Sequence, residues 1–103
     1  MKDKKLNITH KTQYRLEGKS FDFYIPKYNL LIEYNGDYWH CNPNLYVETY
    51  FNKKKRMLAK DIWEYDKKKL QLSTKHGYNL EVIWESDYNK DPNIIFKILK
   101  KYE

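Results

Sequence analysis

Three glycines, three prolines and a single cysteine in 103 residues leave this chain with few breaks and no means of stapling itself. Cys41 alone can form no internal disulfide, and beside only His10, His40 and His76 it is a poor donor set for a structural zinc site. No stretch approaches the roughly 20 apolar residues that span a bilayer. The opening "MKDKKLNITH" also lacks the apolar run of a secretory signal. No membrane partner is expected, and the chain reads as soluble, intracellular and cytoplasmic. Internal repeats, Gly/Ser linkers and low-complexity tracts are missing too, so residues 1–103 should form one domain with residues 1–10 weakly ordered.

What the chain has in quantity is positive charge and aromatic rings. Twenty basic residues against fourteen acidic ones give a net charge of +6, and eleven tyrosines and three tryptophans accompany them. Basic and aromatic surface together suit a nucleic acid. A Lys/Tyr/Asn-rich composition also arises from AT-biased coding, so the motifs must decide.

"KTQYRLE" (11–17) and "SFDFYI" (20–25) alternate as strands around a turn at Gly18-Lys19-Ser20. Pro26-Lys27-Tyr28-Asn29 is a second turn, and "LLIEYN" (30–35) the return strand of a hairpin. A four-residue loop sets Ile25 against Leu30, Phe23 against Ile32 and Phe21 against Tyr34, which makes one face wholly apolar. Residues 37–52 carry no clear pattern, with "LYVETYFNKK" open to being the start of a helix. A helix is expected over 53–76, with Gly77 as its C-cap and an inward stripe of Leu58, Ile62, Tyr65 and Leu72. Lys69 falls within that stripe and Asp66 at its flank. "YNLEVIWE" (78–85) reads as an interior strand, and "DPNIIFKILKKYE" as a helix with Asp91 as cap and Pro92 in its first turn. Strands, long helix, strand and helix predict an α/β fold with a mixed central sheet flanked by helices.

The same hairpin register sets Asp22 opposite Glu33 on the other face, where cross-strand Cβ atoms lie about 4.5–5.5 Å apart. Like charges so placed are unfavourable unless a cation joins them or one is protonated. Two carboxylates suit Mg²⁺, with Mn²⁺ as a substitute, since these hard ions keep several waters and share their other positions with phosphate oxygens. Such an ion would polarise a scissile phosphodiester and activate water for attack. His40 could deprotonate that water or contact the phosphate, Lys69 could hold the developing charge, and Asp66 could orient either one or hold the metal.

"FDFYIPKYNLLIEYNGDYWH", then Asp66-Lys67-Lys68-Lys69, then "GYNLEVIWE" resembles the PD-(D/E)XK nuclease superfamily, in particular its very-short-patch-repair and phage homing endonuclease branch. The resemblance spans about residues 20–88. It implies a restriction-endonuclease-like core, a metal-dependent DNA endonuclease acting on double-stranded DNA, and a bacterial or phage-infected cell. It makes Asp22 the metal-binding aspartate, Glu33 the second carboxylate, His40 the base or phosphate contact and Asp66 the acid of the following helix. Tyr38 and Trp39 hold the place from which relatives wedge an aromatic ring between base pairs.

Two departures are plain. The Glu-x-Lys motif would put lysine at 35, where this chain has Asn35, so that role passes to Lys69 or to His40. The cysteines of the repair enzymes' zinc site and most of their N-terminal helix are missing, which leaves Glu17 as the only candidate for the upstream acid.

Simpler readings exist for each residue. Trp39 and Trp84 fit a core, Asp66 can pair with neighbouring lysines, Lys69 can reach solvent, and Lys53-Lys54-Lys55-Arg56 is an ordinary solvated helix face that becomes a backbone contact if DNA binds beside it. The competing functions are a nuclease fold that binds DNA without cutting and an RNA-directed nuclease. A domain this small would need a homodimer or repeated visits to cut both strands, or a separate partner for targeting.

Overall fold

The computed structural model describes residues 8–103 as an α/β fold with a mixed sheet. β1 (Lys11–Leu16), β2 (Lys19–Ile25) and β3 (Leu30–Asn35) form an antiparallel meander. A two-stranded hairpin, β4 (Phe51–Asn52) and β5 (Met57–Leu58), leads into α1 (Ala59–Lys75). α1 crosses over to β6 (Asn79–Trp84), which lies parallel to β3, and α2 (Glu85–Lys90) and α3 (Ile94–Lys100) complete the chain.

The turn between β2 and β3 forms because Pro26 fixes its own φ and Asn29 accepts a left-handed φ of +48°, returning its N–H to Pro26 O at 3.1 Å. α1 ends where Gly77 takes φ +81°, a conformation that a side chain would strain although space for one exists.

The sheet order is β1-β2-β3-β6. β2 and β3 are the interior strands, and β3 has Leu30, Leu31 and Ile32 fully buried. On one face Ile25, Leu30, Ile32 and Ile83 pack against Ile95, Ile98 and Leu99 of α3. The other face meets α1, whose inward row is Ala59, Ile62, Asp66, Lys69 and Ser73, at alternating spacings of three and four. Ala59, Ile62 and Ser73 are buried, so the two charged residues stand within the packing row itself.

Several expectations are corrected. α1 begins at Ala59, six residues later than the expected start at 53, because Asn52 builds a tight turn there: its Oδ1 accepts the Lys55 N–H at 3.0 Å and Arg56 takes φ +56°. Lys53, Lys54, Lys55 and Arg56 therefore sit on a hairpin loop and not on a helix face. Tyr65 is 54% exposed and does not belong to the inward stripe.

β6 is an edge strand of the described sheet, not an interior one. Its apolar run arises because Ile83 faces α3 while Leu80 and Val82 look into an open cleft beside α1. α2 occupies a stretch for which no helix was expected, and α3 starts only at Ile94, its N-cap Asn93 making no side-chain cap bond.

Of residues 1–10, expected to be weakly ordered, 1–7 lie outside the described residues. Ile8 packs against the core and the His10 ring meets Phe23 edge-on at 5.8 Å. No helix among the described residues is long and apolar enough to cross a membrane.

Candidate active site

The hairpin register holds for Ile25–Leu30 and Phe23–Ile32, and the ladder stops there. One step further on, the carboxylates take the place of backbone acceptors: the Asp22 N–H donates to Glu33 Oε1 at 3.0 Å and the Tyr34 N–H donates to Asp22 Oδ2 at 2.7 Å. β2 and β3 part at this point, and two acids stand in the gap. The irregularity also corrects the expected Phe21–Tyr34 pair. Phe21 turns to the α1 side, under Lys69 Nζ at 4.6 Å, while Tyr34 stays on the α3 side against Tyr88.

Lys69 reaches the gap from α1. Its Nζ donates to Glu33 Oε2 at 2.5 Å, with the two side chains 20% and 12% exposed. Burial raises the Glu33 carboxyl above its ordinary value and the nearby Asp22 charge adds to this, while Lys69 and the Asp22 N–H pull it back only in part. Asn35, two residues beyond Glu33 on β3, lines the same cleft.

One turn earlier on α1, Asp66 holds His40: Nδ1 lies 2.8 Å from Asp66 Oδ2. An ionised carboxylate only accepts, so in this contact Nδ1 carries a proton; in the neutral ring Nε2 then keeps its lone pair. The imidazole edge also rests on Trp84 at 6.4 Å. Glu33, Asn35, Asp66 and Lys69 together line a cleft of about 260 Å³ with Trp63 and Trp84 among its walls. Asp22 and His40 are not in its lining; they are tied to it through Glu33 and Asp66.

The remaining expected residues lie apart from this centre. Glu17 pairs with His76 at 3.2 Å, in place of joining the other acids. Tyr38 packs edge-on against Tyr46 at 6.3 Å. Trp39 is 49% exposed and so is not a core residue, and Lys55 Nζ lies 4.7 Å over its ring.

The donor chemistry suits a hard divalent cation. Asp22 and Glu33 offer oxygen only, and Mg²⁺ needs no more than one or two carboxylates when water and phosphate supply the rest. Among the described residues no cluster of three or more His, Cys, Asp or Glu gathers to hold a metal.

Sequence reasoning missed the residues that hold the turn carrying His40. Asn52 Nδ2 donates to Tyr38 O at 2.8 Å and Trp63 Nε1 to Cys41 O at 2.6 Å. Asn42 Nδ2 donates to Asp37 Oδ1 at 2.9 Å, and the Asp37 N–H donates to Glu85 Oε1 at 3.1 Å. Cys41 takes a left-handed φ of +48°, which these bonds maintain. The available signal was the density of asparagines in "CNPN" and "FNKK", since Asn characteristically bonds nearby backbone.

No protein-family model, curated protein or solved structure matches the chain.

Proposed function

We propose that the chain is a Mg²⁺-dependent endonuclease acting on double-stranded DNA, built on a restriction-endonuclease-like core. The observation that carries this reading is the Lys69–Glu33 contact in a cleft shared with Asp66, itself bonded to His40. Asp22 and Glu33 would hold the cation, which supplies Lewis-acid assistance to phosphodiester hydrolysis when bound. Asp66 fixes the His40 ring so that Nε2 receives the proton of an attacking water. The Lys69 ammonium offers its charge to the phosphoryl oxygens as negative charge gathers on them. Trp63, Trp84, Leu80 and Val82 form the apolar walls of the cleft into which the Lys69–Glu33 contact faces. The sequence resemblance implies 5′-phosphate and 3′-hydroxyl products.

Supercoiled plasmid incubated with the protein and Mg²⁺ tests this, with EDTA and Asp22→Asn as parallel arms. Asparagine keeps the acceptor for the Tyr34 N–H, so a loss of nicking reports lost charge and not lost folding. Cleavage that survives both arms sinks the reading.

A second reading is a nuclease fold that binds DNA without cutting. It is favoured by Asn35 at the lysine position and by the closed Lys69–Glu33 pair, which would then be purely structural. EDTA-resistant binding with no nicking in Mg²⁺ would select it.

A further inference from the structure

A second cavity, of about 310 Å³, is lined by Trp39, Tyr65, Lys55, Met57 and Ile62. Both rings are large and about half exposed, at 49% and 54%. Each carries an ammonium: Lys55 Nζ lies 4.7 Å over Trp39, and Lys19 Nζ lies 4.5 Å over Tyr65 and donates to its hydroxyl at 3.2 Å. Trp39 directly precedes His40 and Tyr65 directly precedes Asp66, so both walls are covalently continuous with the His40–Asp66 pair.

Two exposed rings flanking a cavity could accept a quaternary ammonium, but the lysines already on both rings repel a cation. They attract an anion, so the occupant pairs a flat π-face with negative charge, as a nucleotide does. The volume is at the lower end of the range for small-ligand pockets, which begins at about 300 Å³. Lys53, Lys54 and Arg56 stand exposed on the same hairpin loop, where a strand leaving the cavity would meet them.

We propose, resting on the nuclease reading, that this cavity holds one unstacked base of a DNA strand, with Trp39 and Tyr65 as its walls and Lys55 and Lys19 beside its phosphates. The substrate is then DNA with a nucleotide out of the stack next to the scissile phosphate. The base enters the protein; the ring does not enter the duplex.

The test measures binding by the full chain in EDTA, with three duplexes of equal length: fully paired, one bulged deoxyadenosine, and the same bulge without its base. The expected result is binding of the base-containing bulge about five- to 150-fold tighter than the abasic one, the range that stacking of one base supplies. Trp39→Ala and Tyr65→Ala should each erode that ratio and Tyr65→Phe should keep it, with circular dichroism melts confirming that the variants fold. Equal affinity for the abasic and base-containing bulges overturns the proposal. A ratio that survives both alanine variants also overturns it, by placing the base elsewhere. Free deoxyadenosine monophosphate competing as well as the bulged duplex would assign the cavity to a mononucleotide and overturn the strand assignment. Because no metal is present, these outcomes are independent of whether the protein cuts.

Discussion

Replacing Lys69 with methionine isolates the contact on which the site depends. The change keeps most of the side chain's bulk and removes its charge, leaving Glu33, 12% exposed, with the Asp22 N–H as its remaining hydrogen bond. Breaking a fully buried ion pair costs about 3–5 kcal/mol and an exposed pair contributes under about 1 kcal/mol. At this burial the loss of one charge-assisted hydrogen bond sets the scale, about 2 kcal/mol, or roughly 8–16 °C in melting temperature for a domain of this size.

Adding Glu33→Gln removes the stranded charge but keeps an acceptor for Asp22, so the double variant should return to within about 1 kcal/mol of the parent. The pH dependence has a definite sign. Native Glu33 keeps its proton to higher pH than the unfolded chain does, so parent stability falls as pH rises from about 4.5 through the raised native value. Lys69→Met should carry that fall to higher pH, and Glu33→Gln should abolish it. Urea unfolding from about pH 4 to about pH 8 measures all three. A Lys69→Met stability within about 0.5 kcal/mol of the parent, or a double variant weaker than both singles, would refute the reasoning.

His40→Ala should slow single-turnover cleavage by about 10²–10⁴-fold, and Asp66→Ala by less. The double variant should be no slower than His40→Ala alone, because Asp66 acts through the ring; full activity in His40→Ala would remove it as the base. Alanine at both Lys53 and Lys54 should reduce the slope of log affinity against log salt by about 1.8 if each meets a phosphate, and an unchanged slope would clear that loop of DNA contact. Asn42, only 2% exposed, should cost about 1–3 kcal/mol when changed to alanine and should depress cleavage through the His40 turn; chemical denaturation and the plasmid assay read the two effects.

The parts of the fold legible in the sequence were those with a short period and a nearby turn. Ile25–Leu30 and Phe23–Ile32 follow from strand alternation around Pro26 and Asn29, and Gly77 marks the end of α1 for the reason that only glycine takes its φ freely. The β4–β5 hairpin was not legible, because two-residue strands carry no period and "KKKRM" reads equally as helix until Asn52 is known to bend the chain. β6 misled for a related reason: apolar residues on both of its faces say nothing of whether another strand lies alongside, and Val82, 40% exposed, faces the open cleft.

At the site, the nearness of Asp22 and Glu33 could be read in advance, but not that the ladder would end at Phe23–Ile32 before they paired, leaving each acid to bond the other strand's backbone. Spacing placed Lys69 and Asp66 near the inward face of α1. Which acid each would meet depended on the distance between helix and sheet, which no local pattern encodes.

The parting of β2 and β3 has a consequence for how its two acids are read. Asp22 and Glu33 bridge the strands where the ladder fails, so each acid serves the fold whether or not it works on a phosphodiester. Asparagine at 22 and glutamine at 33 would accept the same N–H groups, so the hairpin needs the acceptors and not their charge. An intact pair of acids at 22 and 33 therefore reports the architecture of the hairpin and is no evidence, taken alone, of chemistry.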